Sequence, residues 1–254
     1  MSQTIQSQIN QREGGKPMQC QQAQHSKANK IEPRGVLVWD LPVRVTHWLL
    51  VVMMIIAYAT HLLGYDYYEY HIWSGYSVCV LVMFRMIWGI VGTQHARFIN
   101  FIKGPKSTYN YVRTLGKKEN PSYVGHNPLG ALMVVFLLGG LLMQSITGLF
   151  ANDEVFNVGP FYLYINEDLS LQLTSLHRQV FYWIVAAVVL HILAVLLHRV
   201  LKGEKLVNAM ITGRKLLNVY TEHKVTGIPS SKLKLALAVL LVVTLTFSSL
   251  IWLA

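Results

Sequence analysis

The sequence predicts an all-α integral membrane protein, with a bundle of four closely spaced membrane-spanning helices and a fifth span near the C-terminus. Of its 254 residues, 53% are hydrophobic and only 13% are charged, which is too apolar for a water-soluble domain of this length. Apolar runs of about 20 residues, the length that crosses a bilayer, recur five times. We place these spans, numbered 1 to 5, at residues 45–63, 71–92, 129–150, 178–198 and 233–253.

The segments around the spans complete the predicted domain organisation. Residues 1–35 are rich in Gln, Ser, Asn and Lys and contain no apolar core, so we expect a disordered cytoplasmic tail without a secretory signal. Residues 36–216 make up the predicted four-helix membrane domain. A basic connector, residues 217–232, leads to the additional transmembrane helix at residues 233–254.

The connectors between the spans alternate in charge. Segments 62–70 and 151–177 carry acidic residues and no Lys or Arg, whereas segments 93–128 and 199–231 each carry six Lys or Arg. Because basic loops stay in the cytoplasm, we expect a multi-pass membrane protein with its N-terminus in the cytoplasm and its C-terminus on the opposite side of the membrane. The net charge of +10 then belongs to a surface that contacts anionic membrane lipid, and we expect no nucleic-acid partner.

Four of the ten histidines fall at two matched depths. His177 and His191 of span 4 are fourteen residues apart, so they share one helix face and lie ~21 Å apart along the axis. Neighbouring spans run in opposite directions, so His71 of span 2 lies level with His177 near the outer face. His47 of span 1 lies level with His191 toward the inner face.

Two pairs of imidazoles on facing helices match the requirement of haem, whose flat ring takes an axial ligand on each side. The spacing therefore predicts two bis-histidine b haems, with His47, His71, His177 and His191 as the iron ligands. No CxxCH sequence for covalent attachment is present, so we expect both haems to be bound non-covalently.

Other histidines leave alternatives open. His61 lies fourteen residues after His47, and His198 lies seven after His191, so both satisfy the spacing, although each is near a membrane interface where polar residues are common. A histidine in a membrane helix also serves as a hydrogen bonder between helices. We interpret His126, in the turn before span 3, as structural, with a cytoplasmic quinone pocket as the alternative.

Three arginines lie near the predicted ligands. Arg44 is three residues before His47, Arg85 is fourteen after His71 on the same helix face, and Arg178 directly follows the outer histidine of span 4. Each has the charge and the donors to bind a haem propionate. Arg85 fits snorkelling to the cytoplasmic interface equally well, and the other two also fit ordinary boundary cations.

Seven motifs in chain order resemble the bacterial cytochrome b561 family, which includes nickel-hydrogenase b-type subunits. They are VWDLPVRVTHWLL (38–50), HIWSGYSVCVLVMFRMIWGIVG (71–92), HARFINFIKGP (95–105), GHNPLGALM (125–133), TGLF (147–150), LHRQVFYWIVAAVVLH (176–191) and NAMITGRK (208–215). The resemblance covers about residues 36–216. It implies a four-helix core that holds two b haems at the same four histidines, and it offers no counterpart to His61. It also implies the quinone pool and a periplasmic c-type cytochrome, or a reductase or dehydrogenase subunit, as redox partners. Together with the loop charges, the resemblance implies the bacterial inner membrane as the location, with the C-terminus in the periplasm.

We therefore expect respiratory electron transfer across the membrane by an electron carrier or oxidoreductase subunit, and not by a stand-alone enzyme. No phosphate-binding loop, dinucleotide fingerprint or zinc-hydrolase motif occurs in the sequence. One rival is a metal-ion transporter or sensor with direct histidine ligands; it predicts carboxylates beside the histidines inside the spans, where the sequence has none. Another rival is a structural anchor subunit without haem, which the complete set of four histidines disfavours.

Overall fold

The computed structural model describes residues 35–114, 123–155, 157–216 and 227–254. Residues 1–34 of the predicted tail and most of the predicted basic connector lie outside these residues, whereas Gly35, the last residue of the predicted tail, begins β1. The elements in chain order are β1 (Gly35–Leu37), α1 (Leu41–Leu63), a 3-10 turn (Tyr65–Tyr67), α2 (Tyr68–Val91), α3 (Phe98–Phe101), α4 (Pro105–Thr114), α5 (Pro128–Leu149), a 3-10 turn (Tyr162–Tyr164), α6 (Glu167–Lys202), α7 (Leu206–Thr212), β2 (Arg214–Leu216) and α8 (Leu233–Leu253).

The all-α membrane fold is confirmed by five helices in the described part of the chain that are long and apolar enough to cross a membrane. They are α1, α2, α5, α6 and α8, which correspond to spans 1 to 5 in that order. Helix α1 packs on α2 and α5 packs on α6, while contacts between α2 and α5 join the two pairs. Helix α8 packs mainly on α2, where Phe247 meets Tyr76 with ring centres 5.7 Å apart.

Polar caps fix where the spans begin. The side chain of Asp40 accepts a hydrogen bond from the Val43 amide at 2.8 Å before α1. Asn127 does the same for the Gly130 amide at 2.7 Å before α5. Such caps satisfy amides that have no partner inside the helix, so the first turns are defined by polar residues that hydropathy alone does not locate.

Helix α6 is much longer than the predicted span 178–198. It begins at Glu167 after the cap residue Asn166 and ends at Lys202, which makes it 36 residues long. At 1.5 Å per residue that is ~54 Å, against about 30 Å for the hydrocarbon core of a bilayer. The predicted span lies within this helix and is shorter, because hydropathy detects only the apolar part of a helix. The capped polar turns extend beyond it, until Gly203 ends the helix at φ 67°.

The two ends of the bundle differ in charge and in structure. We call the end with residues 64–67 and 150–166 the acidic end, and the end with residues 92–105 and 203–216 the basic end. At the basic end, β1 pairs antiparallel with β2. The amine of Lys232, just before α8, donates to the Gly92 carbonyl at 3.3 Å. At the acidic end, the Tyr164 hydroxyl donates to the Leu253 carbonyl at 3.5 Å. Helix α8 therefore runs from the basic end to the acidic end.

An apolar cluster fills the bundle between the two ends. Its buried members come from α2, α5 and α6, and they are Val78, Val82, Leu141, Val180 and Ile184. In chain position, Val78 follows His71 by seven residues, and Ile184 lies midway between His177 and His191. A layer of packed aliphatic side chains thus separates the histidines of the acidic end from those nearer the basic end.

Candidate haem site

The acidic end brings together two of the predicted ligands. His71, in the first turn of α2, and His177, on α6, have ring centres 6.4 Å apart and an interplanar angle of 76°. Two imidazoles that bind one iron from opposite sides at about 2 Å each would have ring centres roughly 6 Å apart. The spacing of this pair therefore fits axial ligation of a single iron.

Both rings of this pair are oriented by backbone carbonyls of neighbouring helices. Nδ1 of His71 lies 2.8 Å from the Ala57 carbonyl on α1, and Nδ1 of His177 lies 2.9 Å from the Gln144 carbonyl on α5. A carbonyl only accepts, so Nδ1 carries the proton and donates in each case. That tautomer leaves Nε2 with a free lone pair, which is the arrangement found in histidine ligands of metals.

A threonine supports each of these carbonyls. The Thr60 hydroxyl lies 3.2 Å from the Ala57 oxygen and donates to the Ile56 oxygen at 2.7 Å. The Thr147 hydroxyl has the same relation to the Gln144 oxygen, at 3.1 Å, and also lies 3.2 Å from Nδ1 of His177. The two histidines of the acidic end are thus supported in the same way, each by a carbonyl and a threonine of a neighbouring helix.

Gly148 makes room for the His177 ring on α5. A Cβ atom at position 148 would lie 3.0 Å from Cε1 and 3.2 Å from Nδ1 of His177. These distances are shorter than ordinary van der Waals contacts. The absence of a side chain therefore allows α5 and α6 to approach closely at the level of this histidine.

The second predicted pair lies nearer the basic end. His47 on α1 and His191 on α6 are close enough to interact electrostatically. Nδ1 of His47 is shielded from solvent and makes no hydrogen bond within the described residues. A buried polar atom without a partner is unfavourable, so this ring fits a position that a bound group completes.

The other two histidines of the spans have different surroundings. His61 is exposed, and its ring centre lies 5.9 Å from that of His71, so a third imidazole stands beside the outer pair. His198 is held by protein groups on both nitrogens, with Nδ1 2.9 Å from the Ala194 carbonyl and Nε2 3.2 Å from Nδ2 of Asn127. These contacts connect α6 to the start of α5.

The three predicted arginines have unequal environments. Arg85 is only 6% exposed, and its guanidinium lies 5.1 Å from the ring centre of Phe98. It is therefore enclosed by protein and does not snorkel into solvent. Arg44 donates to the Ile211 carbonyl and so ties α1 to α7. Arg178 is exposed and lies within electrostatic reach of His177.

Several residues of the site were not predicted from the sequence. Asp40 is 1% exposed and accepts hydrogen bonds from Trp88 Nε1, at 3.1 Å, and from the Thr93 hydroxyl. Asp40 therefore connects the start of α1 to the end of α2 by hydrogen bonds. Gln144 and Thr147 are polar residues within an apolar span, and this signal, which usually marks function, could have identified them.

The fold and the site together define a class: a multi-pass helical membrane protein in which paired histidines from facing helices suit axial ligation of haem iron. The described residues contain no group of three or more His, Cys, Asp or Glu arranged to hold a metal ion directly. The model of the prokaryotic cytochrome b561 family matches residues 38–213, and the chain belongs to that family. It is therefore a membrane cytochrome of the b type, which transfers electrons by means of haem b.

Curated relatives are named as hydrogenase subunits. A probable Ni/Fe-hydrogenase B-type cytochrome subunit of Azotobacter vinelandii is 24% identical over 219 residues, which cover 72% of this chain and 89% of that protein. Its namesake in Rhodobacter capsulatus is 27% identical, with coverage of 71% and 81%. The probable Ni/Fe-hydrogenase 1 B-type cytochrome subunit of Escherichia coli K12 is 23% identical, with coverage of 74% and 91%. No solved structure matches the chain.

Proposed function

We propose that this cytochrome carries single electrons across the bacterial inner membrane through two b haems, one bound by His71 and His177 and the other by His47 and His191. The observation that carries the proposal is the outer pair, whose ring spacing of 6.4 Å and carbonyl-anchored Nδ1 atoms suit one iron. When bound, b haem supplies an iron that takes up and releases one electron at a time.

The protein's own contribution is orientation, separation and exclusion of water. The carbonyls of Ala57 and Gln144 hold the outer imidazoles in the tautomer that ligates through Nε2. The buried aliphatic layer around Val82 and Ile184 keeps water out of the region between the two levels. The ligand levels on α6 are ~21 Å apart along the axis, so the two sites together span much of the membrane.

Arginines supply positive charge for the haem propionates in this proposal. Arg85 serves the inner site, where its enclosed guanidinium requires an anion. Arg178 serves the outer site, next to His177. Arg44 stands one helical turn before His47, and its Nε is shielded from solvent without a hydrogen-bond partner in the described residues. Charge-assisted hydrogen bonds of this type bind carboxylates strongly.

The names of the relatives point to a Ni/Fe hydrogenase as the protein partner. We propose that electrons pass between such a dehydrogenase subunit and the quinone pool, with a periplasmic c-type cytochrome or a reductase as alternative partners. The basic end faces the cytoplasm and contacts anionic lipid, and the acidic end faces the periplasm, because basic loops are retained inside.

Haem stoichiometry tests the proposal directly. We expect two haems per chain in a pyridine haemochrome assay of the purified protein. Acid–acetone should extract both, because no CxxCH attachment sequence exists. One haem or none per chain would contradict the two-site model.

Alanine variants of the ligands test the pairing. His71→Ala and His177→Ala should each lose the same spectral component, and the double variant should lose no more than either single variant. His47→Ala and His191→Ala should together define the other component. Changes at His61 and His198 should leave both haems in place, which makes them matched controls for insertion and folding. If His47→Ala and His177→Ala lost the same haem and both kept the other haem, the model would be wrong.

A further inference from the structure

The basic end contains two buried side-chain nitrogens without a hydrogen-bond partner in the described residues. Nη1 of Arg85, on α2, and Nδ1 of His126, directly before α5, are shielded from solvent and make no hydrogen bond within the described residues. The two side chains are near enough to interact electrostatically. We call this place the Arg85–His126 pocket.

Aromatic packing fixes both donors. The His126 ring lies 4.5 Å from the ring centres of Trp39 and Phe101, and the Arg85 guanidinium lies over the Phe98 ring at 5.1 Å. Gly89 leaves the space that the Phe98 ring occupies, since a Cβ atom there would overlap that ring. The donors are therefore held in place by packing and not by polar partners.

Basic side chains surround His126. Burial, together with Arg85, His95, His191 and Lys215, lowers the pKa of His126 to about 3, so its ring is neutral at physiological pH and offers a single N–H. Lys215 is already paired with Glu204 at 3.2 Å. The enclosed guanidinium of Arg85 is unfavourable unless an anion compensates its charge.

The nearest carboxylate does not fill this need. Asp40 interacts electrostatically with Arg85, but its oxygens already accept from the Val43 amide, from Trp88 Nε1 and from the Thr93 hydroxyl. Neither orphaned donor of the pocket binds to it. The pocket therefore has donors and positive charge left for an added carboxylate.

We infer that the Arg85–His126 pocket binds one propionate carboxylate of the haem that His47 and His191 hold. The inference rests on the proposed function, because it needs an inner haem. The pocket adjoins the inner pair, because His191 lies within electrostatic reach of His126. Two oxygens of one carboxylate accept from the guanidinium and from the imidazole N–H, which satisfies both donors at once.

Redox titration of the full-length protein tests the inference through the midpoint potential of the component that is absent in His191→Ala. Arg85→Gln and His126→Phe should each lower that potential, because the propionate charge is then less compensated and the oxidised haem is favoured. We expect about a tenfold change in the reduction equilibrium for Arg85→Gln, which is about 59 mV for one electron. The propionate bending modes in resonance Raman spectra should shift in the same variants.

Two further variants distinguish the effect of losing the N–H donor of His126 from the effect of changing its packing. His126→Gln retains an N–H donor and should stay near the wild-type potential. His198→Phe changes a histidine of the same end whose nitrogens already have protein partners, and it should shift neither haem. The outer component should be unchanged in every variant.

Three results would overturn the inference. The first is that the inner potential and Raman modes of His126→Phe equal those of His198→Phe. The second is loss of the inner haem in both His126→Phe and His126→Gln, which would assign His126 to packing. An altered KM for quinone with an unchanged inner potential would assign the pocket to quinone. A wild-type protein with only one haem contradicts the proposed function itself, and that result is obtained before any variant is compared.

Discussion

Thr60 and Thr147 occupy equivalent places beside the two histidines of the acidic end. Each hydroxyl bonds to its own helix backbone and shares the carbonyl oxygen to which a histidine from another helix donates. A carbonyl fixed in this way limits rotation of the imidazole, and the orientation of a ligand ring influences the metal that it binds. At the scale of single residues, the site therefore depends on groups that never touch the iron.

Thr147→Val tests this support with little change in side-chain volume. It removes the hydroxyl that lies 3.2 Å from Nδ1 of His177. We expect the outer haem to remain but to dissociate about tenfold faster, in line with other changes behind a metal ligand, and its low-spin EPR signal to shift. Haem transfer to apomyoglobin measures the rate.

Thr212→Val is the matched control for this variant. Thr212 makes the same bond to the carbonyl four residues earlier, at 2.9 Å, but lies on α7 away from the histidines. It should leave the haem dissociation rate and the EPR signal unchanged. If Thr147→Val and Thr212→Val gave the same haem dissociation rate and the same EPR signal, Thr147 would have no supporting role.

Helix α5 contributes to the site by its shape as well as by its carbonyls. It contacts α6 and also α2, and the His177 ring packs against Gly148. Glycine lowers helix stability by about 1 kcal/mol relative to alanine. At position 148 the His177 ring occupies the space that a side chain would need, so the glycine serves the packing of α5 on α6.

Gly148→Ala should displace the His177 ring and weaken or remove the outer haem component, while the inner component persists. Gly139→Ala in the same helix is the control, because nothing lies within 4 Å of the added Cβ. It should be neutral or should stabilise the protein by up to about 1 kcal/mol. Visible spectra and thermal unfolding in detergent measure both effects. Retention of a wild-type outer spectrum in Gly148→Ala would show that the contact can relax.

Basic and acidic connectors alternate along the chain, and this alternation is a feature of the whole molecule. Odd-numbered spans begin at the basic end and even-numbered spans begin at the acidic end. His71 and His177 therefore lie near the starts of two spans that run in the same direction, whereas His47 and His191 lie on spans that run in opposite directions. The charge on the two ends then decides which level faces which side of the membrane. The proposed orientation in the membrane thus depends on the entire chain.

Reporter fusions after residues 66, 120, 160 and 254 test the orientation. Alkaline phosphatase should be active at 66, 160 and 254 and inactive at 120, because the segment around 120 is the basic one. Green fluorescent protein fusions at the same sites should give the opposite pattern. Phosphatase activity at 120 would reverse the proposed orientation and would place His47 and His191 on the outer side.

Most of the fold was accessible from the sequence, because hydropathy, rise per residue and loop charge are local quantities. They placed spans 1, 2, 3 and 5 within a few residues of α1, α2, α5 and α8, and they set His71 level with His177. The early start of α6 was missed, since its first turns are polar and are stabilised by the cap at Asn166.

The sequence by itself determined the membrane class, the order and direction of the spans and the two depths of histidine. The tertiary structure decided which nitrogens are already occupied: it ties His198 to Asn127, brings His61 beside His71 and encloses Arg85 under Phe98. Periodicity cannot supply such facts, because the rotation of each helix about its axis and the contacts across helices depend on how all the side chains pack together.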